Sequence, residues 1–269
     1  MLRLVRRAPA AADERQWNPP AGSIAEGALD GVDAVVNLCG VGLADKRWTQ
    51  ARKQMLLDSR TVPTEVLATA VAEHHIPVLL NASAVGYYGD GGDTTLTETS
   101  ANGAGFLGML VREWEAATEP AAKAGARVVT LRTGLILGKG GGLLAPLRPL
   151  FNLMLGGQIG NGRQYWPWIS LADEVAAIRF CLEHDDISGP VNLTGPIPAT
   201  NREFTKEFAK SLGRPAPWVI PGFALQVVFG AELTREAMLA GQRALPRVLE
   251  DAGFTFRHGT LGAALAALR

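Results

Sequence analysis

The sequence has few of the residues that build metal centres or disulfide frameworks. Among its 269 residues there are only two cysteines, Cys39 and Cys181, and four histidines, and none of them stands at metal-ligand spacing. Two distant cysteines are typical of a protein from a reducing compartment. We therefore expect a cytoplasmic protein without a disulfide scaffold and without a metal site.

The sequence also lacks an excess of either charge and any long apolar run. Lys+Arg and Asp+Glu both total 26, so the formal net charge is zero, and no global basic field favours nucleic acid or an anionic membrane. No apolar run approaches the ~20 residues that cross a bilayer. Because 47% of the residues are hydrophobic, the chain has enough apolar side chains for a substantial core. We expect a soluble protein that acts on a small molecule, and the composition leaves its oligomeric state open.

A phosphate loop of the Walker A type is missing as well. GKGGG at 138–142 and GGQIGNGRQ at 156–164 are rich in glycine, but neither has the required G-x-x-x-x-G-K-[ST] spacing. We interpret both as loops around a substrate cleft, with Arg163, Gln164 and Trp168 as candidate substrate contacts. Solvated loop residues are the alternative interpretation of each.

Strand patterns and helix patterns alternate along the chain. Apolar runs predict strands in LRLV, GVDAVVNL, PVLLNASA, ARVVTLRTGLILG and PVNLTG. Helical spacing predicts helices in WTQARKQMLLDSR, TEVLATAVAEHH, FLGMLVREWEAATEPAAKAG and SLADEVAAIRFCLEH, and after the capping box from Thr200 to Glu203. We expect Pro63 to separate the first two helices, and AAADERQWNPPAGS to be a loop. This alternation predicts an α/β protein with a doubly wound parallel sheet.

In such a sheet, ligands bind where the strands end. The loops after Val5, Leu38, Ala82 and Leu131 should therefore meet in one crevice. Two of these loops carry a local signal: Arg6 and Arg7 end the first visible strand, and NLCGVG at 37–42 allows close approach of a ligand to the backbone. A guanidinium binds phosphate through two parallel hydrogen bonds, so the arginine pair suits the 2′-phosphate of NADP. Two solvated arginines and a plain structural turn are the alternatives.

The stretch ASAVGYYG at 82–89 has the strongest catalytic pattern in the chain. It places Ser83 just beyond a buried strand, followed closely by Tyr87 and Tyr88. Ser83 is a candidate to polarise a substrate carbonyl, and either tyrosine is a candidate acid. Packing tyrosines are the alternative interpretation.

Several segments together resemble a known family. The chain is similar over essentially its whole length to the atypical extended short-chain dehydrogenases/reductases, in particular to bacterial epimerase family proteins related to nucleoside-diphosphate-sugar epimerases. The segments that carry the resemblance are NLCG, RWT, DSR, ASAVGYYGD, GFLGMLVREWE, LRTGLILGKGGG, GNGRQYWPWIS, PVNLTGP and GQRALPRVL.

The resemblance implies an NAD(P)-binding Rossmann fold in which MLRLVRR is the second strand. A first strand, a glycine-rich turn and a helix are expected before it, so we expect an N-terminally truncated fold in which Met1 is not the true start. A transit peptide is the other interpretation of the basic N-terminus. By resemblance, the residues expected to contact NADP are Arg6, Arg7, Leu38, Cys39, Gly40, Arg60, Ser83 and Ile136.

The catalytic residues of the family transfer less well. Typical members carry Tyr-x-x-x-Lys on the helix after the serine strand, whereas Leu107 and Val111 stand at those places here. Two functions follow as expectations. One is an NADP-dependent oxidoreductase or epimerase that acts on a small or sugar-nucleotide-like substrate, with Ser83, Tyr87 and Tyr88 as catalytic candidates. The other is a non-catalytic NADP(H)-binding sensor or interaction protein.

The resemblance also implies two regions along the chain. Residues 1–142 and 171–196 are expected to form the Rossmann dinucleotide-binding domain. Residues 143–170 and 197–269 are expected to form a small substrate-binding region.

Overall fold

The computed structural model describes residues 1–268. Its strands are β1 (Arg3–Val5), β2 (Glu14–Asn18), β3 (Ser23–Ile24), β4 (Ala34–Asn37), β5 (Val78–Ala84), β6 (Thr95–Leu96), β7 (Arg127–Thr133), β8 (Leu135–Leu137), β9 (Gly157–Ile159), β10 (Tyr165–Trp166), β11 (Trp168–Ser170), β12 (Gly189–Leu193), β13 (Ala199–Thr200), β14 (Trp218–Ile220) and β15 (Arg243–Ala244). Its α-helices are α1 (Gln50–Glu73), α2 (Phe106–Ala116), α3 (Glu119–Lys123), α4 (Leu144–Asn152), α5 (Leu171–Glu183), α6 (Asn201–Leu212), α7 (Gly222–Phe229), α8 (Ala231–Leu233), α9 (Arg247–Asp251) and α10 (Leu261–Ala266).

A four-stranded parallel sheet lies at the centre of the fold, in the order β12-β7-β5-β4. Helices cover both of its faces. Leu79 of β5 packs in a cluster with α1, and its neighbour Leu80 packs in a cluster with α5. Because successive side chains of a strand point to opposite faces, α1 and α5 lie on opposite sides of the sheet. The predicted doubly wound α/β class is confirmed.

The strands β1, β2 and β3 form a separate small sheet. β1 runs parallel to β2, and β2 pairs antiparallel with β3. Leu4 of β1 and Val35 of β4 share one apolar cluster, yet no ladder joins the two strands. Val36 on β4 and Leu38 just after it are 41% and 63% exposed. The apolar edge of the central sheet at β4 is therefore open.

Helix α1 is continuous, so the prediction of a break at Pro63 is wrong. Pro63 lies inside the helix and is itself buried. Proline in a helix interior costs ~3 kcal/mol. The buried face of α1 extends to both sides of it, through Leu56, Thr64, Leu67 and Val71. Burial of this long apolar face against the sheet offsets the local cost.

Three further local predictions are corrected. The predicted strand ARVVTLRTGLILG forms two strands, β7 and β8, because β8 leaves the central sheet and pairs with β11. The stretch after Phe106 forms two helices, α2 and α3, with a turn at 117–118 between them, because Pro120 starts α3. The expected loop after Ala10 contains β2, whose Trp17 is buried against α1 and β4. The capping box from Thr200 to Glu203 at the start of α6 is confirmed.

A second apolar cluster lies outside the central sheet. It is formed by residues on α4, α6, α10 and the strands between them: Leu137, Leu144, Phe151, Trp166, Trp168, Ala199, Phe204, Phe208, Ala209, Leu261, Ala264 and Leu265. Of the helices within residues 1–268, none combines the length and apolarity that a bilayer span requires.

Candidate functional site

Ser83 lies at the end of β5, where its hydroxyl is tied into the interior of the protein. It donates to Oε1 of Glu115 at 2.5 Å. Arg132, on the neighbouring strand β7, donates to both oxygens of the same carboxylate at 2.8 and 2.9 Å. The two strands are paired so that Ser83 stands beside Arg132. In this geometry the serine proton is committed to Glu115 and is not available to a substrate carbonyl.

Tyr88 belongs to the same buried network. Its hydroxyl donates to Oδ1 of Asn192 at 2.6 Å and accepts a hydrogen bond from Nη1 of Arg132 at 3.1 Å. Burial raises the pKa of this phenol, against the opposing effect of Arg132. A buried phenol with both hydrogen bonds made inside the protein is suited to holding strands together rather than to proton transfer.

Tyr87 lies in a different environment. Its ring stacks on the Arg132 guanidinium, with Cζ 3.5 Å from the ring centre. It packs against the cluster that contains Leu107 and Val111. Among the residues that the structure describes, no hydrogen bond reaches the Tyr87 hydroxyl. Tyr87 is therefore the one of the three catalytic candidates whose hydroxyl is uncommitted within the described chain.

Leu107 and Val111 on α2 face the sheet. They are 6% and 1% exposed, and a Cβ added at Gly86 would lie 3.5 and 3.7 Å from their side chains. The absence of a side chain at Gly86 thus lets α2 pack directly over the end of β5. The two places at which related enzymes carry tyrosine and lysine hold only apolar atoms.

The two arginines that follow β1, Arg6 and Arg7, lie in different surroundings. Arg7 forms a two-pronged ion pair with Glu14 at 2.6 and 2.7 Å, and its hydrogen bonds hold the pKa of Glu14 at about 2. Within residues 1–268, no hydrogen bond or ion pair engages Arg6. Its charge acts on Cys39, whose thiol pKa burial raises and Arg6 lowers. Arg6 is therefore an exposed cation without a side-chain partner in the described residues, and its charge reaches Cys39 in the loop after β4.

That loop, residues 38–43, rests on two buried arginines of α1. Arg60 donates to the Val41 carbonyl at 2.9 Å, and a Cβ at Gly40 would lie 3.3 Å from its Cζ. Burial and the nearby charge of Arg52 lower the pKa of Arg60 to about 10. Arg52 donates to the Gly42 carbonyl, and its nearest carboxylate, Asp45, is 3.6 Å away. The loop therefore lies in locally positive surroundings, which suits an anionic ligand.

A polar cluster fixes the start of the same loop. Oδ1 of Asn37 accepts from the Cys39 amide at 3.1 Å, while its Nδ2 donates to Thr64 and Asn81 at 2.9 and 2.7 Å. Leu38 is exposed. Ile136, the last expected cofactor contact, lies on β8 beside Ile169 of β11 and packs in the cluster under α5.

The residues expected to contact substrate do not all lie together. Arg163 and Gln164 line a cavity of about 330 Å³ with Asp90, Asp93 and Gly241. Trp168 lies in the second apolar cluster at 1% exposure, and its indole N–H donates to the Ile197 carbonyl. The interpretation of Trp168 as a substrate contact is therefore wrong, because the side chain is part of the core.

Two residues central to the site, Glu115 and Arg132, were not predicted. Arg132 is a charged residue in a buried part of β7, and such a residue requires a buried partner. That signal is present in the sequence. The identity of the partner is not, because α2 and α3 offer several carboxylates, of which Glu115 is only one.

Comparisons with known proteins give matches over most of the chain. Residues 21–193 match the NAD dependent epimerase/dehydratase family, and residues 220–268 match a domain of unknown function, DUF1731. Epimerase family protein Mb2239 of Mycobacterium bovis is 53% identical over 265 residues, which cover 98% of this chain and 88% of the relative.

Solved structures give the same result. Human epimerase family protein SDR39U1 with NADPH superposes with a TM-score of 0.89 at 30% identity, covering 98% of this chain and 89% of that one. A nucleoside-diphosphate sugar epimerase from Corynebacterium glutamicum superposes with a TM-score of 0.80 at 36% identity, covering 98% of this chain and 51% of that one. The chain therefore belongs to the NAD dependent epimerase/dehydratase family, within its extended short-chain dehydrogenase/reductase-like group of NAD(P)-binding Rossmann proteins.

Proposed function

We propose that this protein binds NADP(H) and transfers hydride between the nicotinamide and a small carbonyl or alcohol substrate. The observation that carries the cofactor choice is Arg6, an exposed residue directly after β1 whose side chain has no hydrogen bond or ion pair among the described residues. The presence of NADPH in the structure of the human relative supports the same choice. An arginine at this position accommodates a 2′-phosphate, whereas NAD is favoured by an acid.

The described residues fit a dinucleotide. Arg6 would hold the 2′-phosphate, and the backbone of residues 38–42 would follow the ribose and pyrophosphate above Arg52 and Arg60. The cofactor supplies the hydride chemistry when bound. The protein's own contribution is to place the cofactor and to hold a proton source beside the substrate.

Tyr87 is the proton source in this proposal. Its hydroxyl is the uncommitted one, and its ring is fixed between Arg132 and the apolar cluster of α2. Ser83 and Glu115 act through Arg132, by holding the guanidinium against the ring. This arrangement assigns Ser83 a positioning role instead of direct contact with the carbonyl.

A second function, a non-catalytic NADP(H)-binding sensor or interaction protein, is favoured by a different observation. Leu107 and Val111 fill the places of the tyrosine and lysine in related enzymes, and both are buried. Without a tyrosine and a lysine at these two positions, the proton transfer expected from the family has no donor there.

Fluorescence titration with NADPH and NADH tests the cofactor choice. The protein should prefer NADPH, and Arg6→Ala should abolish the preference while Arg7→Ala retains it. Equal affinity for the two nucleotides in the unmodified protein would contradict the proposal.

Turnover separates the two functions. NADPH oxidation is followed with a panel of aldehydes, ketones and sugar nucleotides, and the active substrate is repeated with Tyr87→Phe. Loss of turnover with unchanged NADPH binding supports Tyr87 as the acid. Tight NADPH binding without turnover on any substrate favours the sensor.

A further inference from the structure

A groove lies between α6 and β14, far along the chain from the strand ends at which the cofactor is proposed to bind. It encloses about 430 Å³. One wall carries the cations Arg202, Lys206, Lys210 and Arg214, and the other is apolar and includes Trp218. The proposed NADP(H) chemistry uses none of these residues.

The charge of this groove is one-sided. The four cations follow one another at four-residue spacing along α6 and the turn after it, and no carboxylate is among the lining residues. Like charges at this spacing repel, and a cation in the first turn, such as Arg202, also opposes the helix dipole. On other helices, cations at similar spacing are paired with acids: Lys123 with Glu119, Arg179 with Glu183 and Arg247 with Glu250.

The four cations differ in whether the protein supplies a partner for their side chains. Arg202 donates to Gln158 and to the Asn161 carbonyl at 3.0 and 2.7 Å, and Lys210 lies 3.7 Å from Glu207. Within the described residues, no hydrogen bond or ion pair engages the side chain of Lys206 or of Arg214. The groove therefore presents positive charge that the protein itself does not neutralise.

The aromatic wall is held in place. β14 runs beside β9, where a Cβ at Gly157 would collide with the backbone carbonyl of Trp218, so that only glycine permits this approach. The indole N–H of Trp218 donates to the Met154 carbonyl at 2.8 Å. The side chain remains 56% exposed, whereas Trp166 and Trp168 are 7% and 1% exposed. Trp218 thus offers a fixed, accessible aromatic face.

We propose that this groove is a second ligand site, which binds a phosphorylated compound with a flat aromatic part, such as a nucleoside di- or triphosphate. Lys206 and Arg214 bind the phosphates, with Arg202 and Lys210 contributing charge. Trp218 stacks on the aromatic part. A cationic wall facing an aromatic wall matches both halves of such a ligand.

The test is calorimetric titration of ATP into the full chain in excess NADPH, so that a nucleotide site at the strand ends is filled. One ATP should bind per chain. Lys206→Glu combined with Arg214→Glu should weaken binding at least about tenfold, because two attractive charges become repulsive. Lys123→Glu combined with Arg179→Glu makes the same change in net charge elsewhere and should leave the affinity within about twofold.

Inorganic triphosphate tests the aromatic wall. It should bind more weakly than ATP to the unmodified protein, and Trp218→Ala should weaken ATP roughly five- to tenfold while leaving triphosphate unchanged. Circular dichroism confirms that each variant is folded. The proposal is overturned if ATP does not bind in excess NADPH, if both double variants lose the same affinity, or if triphosphate binds as tightly as ATP. If NADPH does not bind at the strand ends, ATP can occupy that site as well, and the difference between the two double variants then reports binding in the groove alone.

Discussion

Two arginines, Arg132 in the interior of the protein and Arg6 on its surface, lie in opposite surroundings. Arg132 is 3% exposed and bound by Glu115 and Tyr88. Arg6 lies on the surface, with no ion pair in the described chain. Arg132 lies near the end of β7, and Arg6 directly follows β1. The difference teaches that a polar residue near a strand end is available to a ligand only where the fold leaves it without a partner.

The largest expected effect comes from breaking the interior network. Arg132→Met leaves the largely buried Glu115 carboxylate without its charged partner and with only the hydrogen bond from Ser83, which costs about 3–5 kcal/mol. Thermal denaturation should show a melting temperature lower by roughly 10 °C. Arg6→Ala, measured in parallel, should melt at the temperature of the unmodified protein. Equal melting temperatures for the two variants would contradict the distinction between the interior arginine and the surface arginine.

Glu174 is a second buried charged residue, and unlike Arg132 it lacks a full set of partners, which makes the stability of the protein depend on pH. Its Oε1 accepts from Thr133 at 2.9 Å, whereas its Oε2 is buried without a partner. Burial raises the pKa of this carboxyl to about 7. The folded protein therefore holds a proton that the unfolded chain releases near pH 4.5, so this group lowers stability progressively as pH rises from about 4.5 to 7.

Glu174→Gln removes that dependence. The variant should be more stable than the unmodified protein at pH 8, by up to about 3 kcal/mol, and nearly equal to it at pH 4.5. Urea denaturation at the two pH values measures the difference. An identical gain at both would show that the carboxyl does not titrate between them.

The two tyrosines give a smaller contrast. Tyr88→Phe leaves Asn192 and Arg132 without a buried hydrogen bond and should cost about 1–3 kcal/mol of stability. Tyr87→Phe removes a hydroxyl that no described residue binds and should change stability by less than about 0.5 kcal/mol. Denaturant unfolding of both variants checks this order. The reverse order would contradict the assignment of Tyr88 to structure and Tyr87 to the ligand.

The last expected effect is on NADPH binding at the surface residue Arg6. Arg6→Ala should weaken NADPH binding about tenfold, which corresponds to ~1.4 kcal/mol, and should leave NADH binding unchanged. Arg7 is already paired with Glu14, so Arg7→Ala should change the NADPH affinity less. A larger loss in Arg7→Ala would assign the phosphate to Arg7.

Much of the fold was predictable because it depends on short segments. The apolar runs of β5 and β7 and the capping box of α6 are local patterns, and the structure confirms them. Pro63 was misread because the local cost of proline is outweighed by burial of a helix face that contacts a distant sheet. The expected strand, glycine-rich turn and helix before Leu2 stay a prediction.

The candidate site was predictable as a set of residue types but not as a set of partners. Ser83, Tyr87 and Arg6 stand in segments that indicate a dinucleotide-binding protein. Their availability depends on residues far along the chain. Ser83 binds a glutamate 32 residues away, and Tyr88 binds an asparagine 104 residues away.

The sequence by itself determined the alternation of strands and helices, the family, and the positions at which chemistry is concentrated. Only the tertiary structure decided which of those side chains remain free: Arg6 rather than Arg7, and Tyr87 rather than Ser83 or Tyr88. The physical reason is that a buried polar group must find a partner. The partner is chosen by proximity in the folded chain, which a linear pattern does not contain.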